Sequence, residues 1–456
     1  MSLLLDSLTA DNSQSSLLAE GLHKPVEPRR KKLKNEHLAV IGLGYVGLPL
    51  AVSLAEHFEH VTGLDISTKR VRQLQSGVDS TNEISPLRLA ESGLSVTASA
   101  EDISNATFYI VTVPTPITAA NQPDLSPLTA ACQTIGRFLK PNDMVVFEST
   151  VYPGVTEDIC GKILSDISGL EPGKGFFLGY SPERINPGDK INTIENIAKI
   201  VAGDCTASLE RMEAVYGSVI KAGLHKSPSI KVAEGAKVLE NTQRDVNIAL
   251  MNELALICDK VGINTHDVIA AAATKWNFVP FTPGLVGGHC IGVDPYYLAS
   301  LAEQVGLHPQ VILSGRRLND GMVGHVGQSA LRMLIEGGGD VRDARIGVFG
   351  LSFKEDVPDL RNSKAVELVH NLRRCGLSPL VHDPICHGAA VAASEISLTP
   401  LHEMDQLDLM IVTVPHTAYR TDPGFLSLLK PGGGLMDVRS AFRDRKEVGD
   451  MRYWTL

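Results

Sequence analysis

From His37 the chain reads HLAVIGLGYVGLPLAVSLAEHFEHVTGLDIS. The pattern predicts an apolar strand, a glycine turn, a helix opening at the turn and a second strand ending at Asp65. Short continuous apolar runs return at 106–113 (ATFYIVTV), 145–150 (VVFEST) and 176–180, each followed by turn residues. Such runs suit strands covered on both faces of a parallel sheet. At Val232 the period changes: to Gly262 apolar residues keep helical spacing without a proline. This predicts one helix of ~45 Å at about 1.5 Å per residue. Beyond Thr274 comes a glycine-rich loop, then helices through Leu318, Asn319 and Asp320 to Gly337. A second strand, loop and helix begin at Ala344, with further strands at Pro379–Asp383 and Leu409–Val414. The order predicts an α/β protein: two Rossmann-like doubly wound domains joined by a central helical domain with one long helix. The expected divisions are a flexible tail (1–35), a first nucleotide domain (36–229), a central domain (230–328) and a second Rossmann-like domain (329–456).

Composition narrows the class. A chain of 456 residues exceeds one core. No apolar run approaches the ~18 residues of a membrane span, and a net charge of -10 argues against nucleic-acid binding. Seven cysteines without paired spacing point to a reducing compartment, so a cytoplasmic location is expected. The tail carries Arg29, Arg30, Lys31, Lys32 and Lys34, lacks the order of a signal peptide and reads as a solvated arm.

The candidate chemistry sits at strand ends and in loops. Gly42, Gly44 and Gly47 give G-x-G-x-x-G between strand and helix, with Tyr45 and Val46 inside the turn. Asp65 ends the next strand, where a carboxylate accepts from free ribose hydroxyls and repels a 2′-phosphate, so NAD is expected over NADP. Arg70 is a further cofactor candidate that leaves NADP open. Thr115 and Ser149 or Thr150 follow strand ends and should face the cofactor. Glu183, Arg184 and Asn186 occupy a proline-bounded loop after 176–180. Lys237 and Asn241 are i and i+4 on the long helix and leave one face, and Asp245 continues the row as a site residue or a solvated stripe. In PGLVGGHCIGVDPYY, Cys290 lies among glycines, with Asp294 four residues on, the surroundings of a nucleophile rather than of a core thiol. The second domain lacks the three-glycine spacing, but its loop carries Lys354, Asp359 and Arg361, suited to a charged nucleotide other than NAD. His382, Cys386 and His387 lack further ligands at metal spacing, and no metal is assigned.

With GLGYVGLPLA, STVYPG, SPERINPG, AEGAKVLENTQRDVNIALMNE, GGHCIGVDP and FGLSFKEDVPDLRNS in this order, the chain resembles the UDP-glucose/GDP-mannose dehydrogenase family past the tail. GGHCIGVDPYYL and SPERINPG are similar to the branch that oxidises UDP-N-acetylhexosamines at carbon 6. The glucose branch has a lysine and a second glutamate where Val293 and Pro187 stand. The resemblance implies an NAD domain, a central helix that builds a homodimer and a domain for the UDP-sugar. It also implies oxidation of a primary alcohol to a carboxylate with two NAD, for surface-polysaccharide precursors. Cys290 would carry a thiohemiacetal and a thioester; Lys237 and Asn241 would donate to the carbon-6 oxygen; Asp294, Glu183 and Thr150 would handle water. Lys354 and Arg361 would hold the diphosphate, Arg184 and Asn186 the acetamido group, and Phe281 and Gly287 would complete the substrate site. GlcNAc or GalNAc is the expected sugar, with ManNAc and glucose as alternatives. A single-step hydroxyacid dehydrogenase has no use for Cys290, and a non-catalytic sensor has none for the Cys290, Lys237 and Asn241 set.

Overall fold

The computed structural model describes residues 33–456 except 187, 188 and 190. Arg29, Arg30, Lys31 and Lys32 of the expected tail, and Pro187, lie outside the described residues. β1 (Leu33–Ile41), β2 (Phe58–Leu64), β3 (Ser95–Thr97), β4 (Phe108–Val111), β5 (Met144–Phe147), β6 (Phe177–Tyr180), β7 (Lys199–Gly203) and β8 (Leu224–Lys226) form one sheet. Its order is β3-β2-β1-β4-β5-β6-β7-β8. Pairing is parallel except between β6 and β7. The first six strands follow the Rossmann order, so the sheet reverses winding between β1 and β4, where a ligand crevice opens. β1 starts at Leu33, inside the segment read as tail, because Leu33 pairs with Phe58 before the ladder resumes at His37.

The second sheet holds β9 (Ile346–Phe349), β10 (Leu380–His382), β11 (Leu407–Val412), β12 (Leu429–Asp437) and β13 (Arg452–Trp454) in the order β10-β9-β11-β12-β13, all parallel. This is the other common doubly wound order. In both sheets alternate residues serve opposite faces: Leu38 and Val40 of β1 join one core, Ala39 and Ile41 the other.

The central helix spans Ile230–Val261, 32 residues, or ~48 Å. Ser229 caps its start by accepting from the Val232 N–H, and Gly262 ends it at φ 75°. The helix Gln310–Glu336 packs along it as one unbroken element of 27 residues, where the sequence suggested several. Polar groups lock the pair: Arg316 donates to Asp245 Oδ1 at 2.6 Å, and Asn252 Nδ2 to Asn319 Oδ1 at 2.8 Å. Asp245 is therefore a buried ion-pair partner and not a solvated stripe. The outer face of the central helix exposes Leu239, Leu250, Ile257 and Val261. Among the described residues no helix is long and apolar enough to cross a membrane.

Candidate active site

The turn after β1 is shaped for a dinucleotide. Gly42 takes φ 95°, a conformation that favours glycine, and its N–H donates to Leu64 O at 2.8 Å. A Cβ on Gly47 would lie 1.9 Å from Gly42 O, whereas one on Gly44 would meet nothing within 4 Å. The tight turn and helix packing therefore use Gly42 and Gly47, and the open space over Gly44 is where a pyrophosphate can approach the backbone. Val46 is the N-cap of the following helix, Gly47–Ala55. Asp65 accepts from Leu43 N–H at 2.9 Å and from Ser67 N–H at 2.8 Å while half-exposed, so it holds the turn and still faces the cleft. Arg70 pairs with Asp79 at 2.8 Å and donates Nε to Leu43 O at 2.9 Å. Its charge is spent bracing the turn. Gly44, Tyr45, Asp65 and Arg70 line a cleft of about 680 Å³ whose other wall carries Asp359 and Arg361. These residues fit NAD.

A second cavity, about 520 Å³, contains Cys290, Lys237, Asn241, Arg184, Asn186, Phe281, Gly287 and Lys354. Cys290 starts a short turn, with Val293 N–H and Asp294 N–H donating to its carbonyl at 3.0 and 2.9 Å. Asp294 opens the helix Asp294–Gln304, and its carboxylate, 2 % exposed, accepts from Asn241 Nδ2. Burial pushes the Asp294 carboxyl up to about 6 against Lys237, Asn241 and Arg244. Burial, then the Asp294 charge, pushes the Cys290 thiol up to about 11, opposed by Lys237, Arg244 and Arg361. The thiol is thus neutral near pH 7. His289 separates the two cavities: its ring lies 6.3 Å from Tyr45 and 5.5 Å from Phe353. Burial, then Arg361, pushes its pKa down to about 4, so it is a neutral imidazole.

The loop after β6 stands on a buried charge cluster. Lys199 Nζ lies 2.8 Å from Glu183 Oε2 and 3.0 Å from Glu148 Oε2, and Tyr216 donates to Glu148 Oε1 at 2.6 Å. Glu183 Oε1 accepts from Arg184 N–H at 2.7 Å and Ile185 N–H at 2.9 Å. Burial works against the Glu183 carboxylate, but Lys199 and these N–H groups prevail and hold it below the usual range. Glu148 has Lys199 and the Tyr216 hydroxyl but not the two backbone N–H groups, and burial takes it up to about 7. Above the cluster, Arg184 Nε pairs with Glu240 at 2.9 Å and Nη1 donates to Ala198 O at 3.0 Å. Asn186 Oδ1 accepts from Lys354 Nζ at 2.8 Å, joining the two nucleotide domains across the cavity.

The structure thus brings Cys290, Lys237, Asn241, Asp294, Arg184, Asn186, Phe281, Gly287 and Lys354 together. Glu183 sits beneath the cavity, braced by Lys199. Thr150 follows β5, and neither Thr150 nor Thr115 lines the cavity or the dinucleotide cleft. Arg361 forks onto Asp359, Nε to Oδ1 at 3.0 Å and Nη2 to Oδ2 at 2.5 Å, and lies over Tyr45 at 5.6 Å. It therefore faces the dinucleotide cleft, not the cavity that holds Lys354. His382 Nδ1 meets the Tyr419 hydroxyl at 2.8 Å. Sequence reasoning missed Glu240, Arg244 and Arg439, which also line the cavity. Helical phase could have found two of them, since Glu240 and Arg244 flank Lys237 and Asn241 on the same helix. It also missed Glu234, which accepts from Gly154 N–H at 2.6 Å and Thr156 N–H at 2.9 Å and fastens the STVYPG loop to the central helix.

Comparison with known proteins agrees with this layout. Residues 36–220, 231–321 and 347–444 match the NAD binding, central and UDP binding domains of the UDP-glucose/GDP-mannose dehydrogenase family. The chain is 47% identical over 424 residues to protein CapL of Staphylococcus aureus, covering 92% of this chain and all of that one. It is 48% identical over 391 residues to the UDP-N-acetyl-D-glucosamine 6-dehydrogenase of Pseudomonas aeruginosa, covering 85% and 92%. The structure of UDP-D-ManNAc dehydrogenase from Pyrococcus horikoshii superposes with a TM-score of 0.82 at 29% identity, covering 92% and 99%. Three matching domain models in one chain, on the same two doubly wound sheets and long helix, establish that it belongs to the UDP-glucose/GDP-mannose dehydrogenase family and is an NAD-dependent dehydrogenase.

Proposed function

We propose that the protein oxidises carbon 6 of a UDP-N-acetylhexosamine, GlcNAc or GalNAc, to the uronate through a thioester on Cys290, supplying precursors of a surface polysaccharide. The observation that carries this reading is the meeting of Cys290, Lys237 and Asn241 in one cavity beside the dinucleotide cleft, with Asp294 bonded to Asn241. The sugar follows the relative named for UDP-N-acetyl-D-glucosamine, at 48% identity, over the one named for UDP-D-ManNAc, at 29%. NAD, when bound, accepts the hydride of each oxidation. In the first, carbon 6 also loses its hydroxyl proton and becomes an aldehyde. Cys290 Sγ then bonds carbon 6 while the thiol proton ends on the carbon-6 oxygen, so no free thiolate need persist in the buried site. Loss of that proton with the second hydride leaves the thioester. Water adds, the C–S bond breaks, the thiol recovers a proton and the carboxylate leaves. Lys237 and Asn241 donate to the oxygen on which charge develops, worth about 10²- to 10³-fold per donor.

Residues 33–229, 230–328 and 329–456 then serve as the NAD, central and UDP-sugar domains. Arg184 and Asn186 meet the acetamido group, Lys354 the diphosphate, and Asp294 the attacking water. The exposed Leu239, Leu250, Ile257 and Val261 face supports a homodimer through the central helix. Seven free cysteines suit the cytoplasm.

Incubation with NAD and a panel of UDP-sugars tests the reading: two NADH should form per uronate, fastest with a UDP-N-acetylhexosamine. A ratio near one overturns the thioester route. Cys290→Ser should bind both ligands and make no uronate. Without ligands, iodoacetamide should alkylate Cys290 slowly at pH 7 and with a midpoint near 11, because burial and Asp294 disfavour the thiolate. A midpoint below about 7, as for an activated thiol, would contradict a neutral resting thiol.

A further inference from the structure

Arg244 belongs to none of the roles assigned above, yet its side chain lines the Cys290 cavity. It lies three residues beyond Asn241 on the central helix, and its Nη2 donates to Asn241 Oδ1. Asn241 is fully buried and donates Nδ2 to Asp294 Oδ2 on the other side. A primary amide has one acceptor and two donor hydrogens, and its two ends are alike in shape. Only hydrogen bonding decides which end points where. With the guanidinium on one flank and the carboxylate on the other, the flipped amide would set donor against donor and acceptor against acceptor. The amide is thus held with one N–H on Asp294 and its second N–H left for a ligand. The guanidinium charge also favours the ionised forms of Asp294 and Cys290, which places it at the reacting end of the cavity.

We propose that Arg244 is a positioning residue that fixes the Asn241 amide, so that N–H groups and not the oxygen face Asp294 and the carbon-6 oxygen of the sugar nucleotide. This rests on the reading that Asn241 donates to that oxygen. Without Arg244, one of the two constraints on the amide is gone. The flipped amide would then present a lone pair where charge develops, converting a stabilising contact into a repulsive one.

The test is a double-mutant cycle with a rescue. Arg244→Met should lower kcat by about 10²-fold, the loss of one oxyanion donor, with KM for the UDP-sugar changed less than about threefold. Asn241→Ala should lose a similar factor, and the double variant should be no worse than Asn241→Ala alone, since residues acting as a unit are not additive. Arg244→Gln keeps a donor toward Asn241 Oδ1 without the charge and should recover most of the kcat. Multiplying losses, or equal losses in the Gln and Met variants, overturns the proposal. If the wild-type protein oxidises no UDP-sugar, the functional assignment fails instead. The cycle is then read in the urea midpoint, where additive shifts of Arg244→Met and Asn241→Ala overturn the contact itself and coupled shifts uphold it.

Discussion

The turn after β1 and the turn after β9 are built from the same parts. In each, a glycine at positive φ, Gly42 at 95° and Gly350 at 87°, donates its N–H to the end of the neighbouring strand, Leu64 O and His382 O. A threonine hydroxyl from the next strand over, Thr112 or Thr413, closes onto the carbonyls around that glycine. An aspartate just past the end of that neighbouring strand, Asp65 or Asp383, accepts from the residue after the glycine, Leu43 or Leu351. They differ in what happens to the acid. Asp65 stays half-exposed over an open Gly44. Asp383 is 2 % exposed, takes Ile385 and Cys386 N–H groups at 2.9 and 2.8 Å, and meets His416 Nε2 at 3.2 Å. Burial opposes its charge, but His416 and the backbone donors hold it well below the usual carboxylate range. The second turn has thus turned the equivalent acid inward as a structural post, and its loop reaches the other cavity through Lys354 instead. Both turns use the first glycine; the open turn adds Gly44 for close approach and Gly47 for packing of its helix.

This comparison can be broken at four points. The largest effect is expected from Gly47→Ala and Gly350→Ala: added Cβ atoms would lie 1.9 Å from Gly42 O and 2.4 Å from Val414 O. Each should cost about 3 kcal/mol or more in urea unfolding, and a near-neutral result would mean the turns are not rigid. Next, Asp383→Ala should lose about 2 kcal/mol by stranding buried donors. Asp65→Ala, where water can replace the carboxylate, should lose under about 1 kcal/mol and instead weaken NAD binding far more than NADP. Equal costs in stability would erase the distinction between the two acids. Gly44→Ala should leave the melting temperature unchanged but reduce NAD affinity by about tenfold or more, the equivalent of 1.4 kcal/mol, by titration calorimetry. The smallest effect tests Glu183. If its carboxylate only braces the loop, Glu183→Gln should raise KM for the UDP-sugar about fivefold, the factor given by ~1 kcal/mol, with kcat within about twofold. A larger fall in kcat would make Glu183 a reacting group.

The first turn was legible in the sequence because its requirements are local: Gly42, Gly44, Gly47 and Asp65 lie within one βαβ unit. The central helix was legible for the same reason, its period unbroken over 32 residues. β12 was not, since Lys-Pro-Gly-Gly-Gly at 430–434 reads as a loop, yet the ladder to β11 passes it by shifting register between Leu407 and Leu409. The helix Gln310–Glu336 hid behind Gly315, Gly321, Gly324 and Gly327, weak helix formers held by packing on the central helix. At the site, loop composition disclosed Cys290 and helical phase disclosed Lys237 and Asn241. The partners that set their environment could not be seen, because Lys199 to Glu148 and Arg316 to Asp245 are pairs 51 and 71 residues apart. Glu183 and Arg361 were assigned from their loops alone, and long-range partners decide where each carboxylate or guanidinium points.

The Lys199 cluster bears on how such a protein can diverge. Its two carboxylates and one ammonium are closed off from water, so replacing Lys199 alone leaves both buried carboxylates without their counter-charge, at a cost of about 3 to 5 kcal/mol for a broken buried pair. The foundation of the loop can drift only by simultaneous changes, which are rare. Arg184 and Asn186, standing on it with partly solvated side chains, carry no such penalty. Mutation can therefore explore new sugar contacts one residue at a time while the platform beneath stays frozen, and a change of sugar preference would be inherited through the loop's exposed letters, not its buried ones.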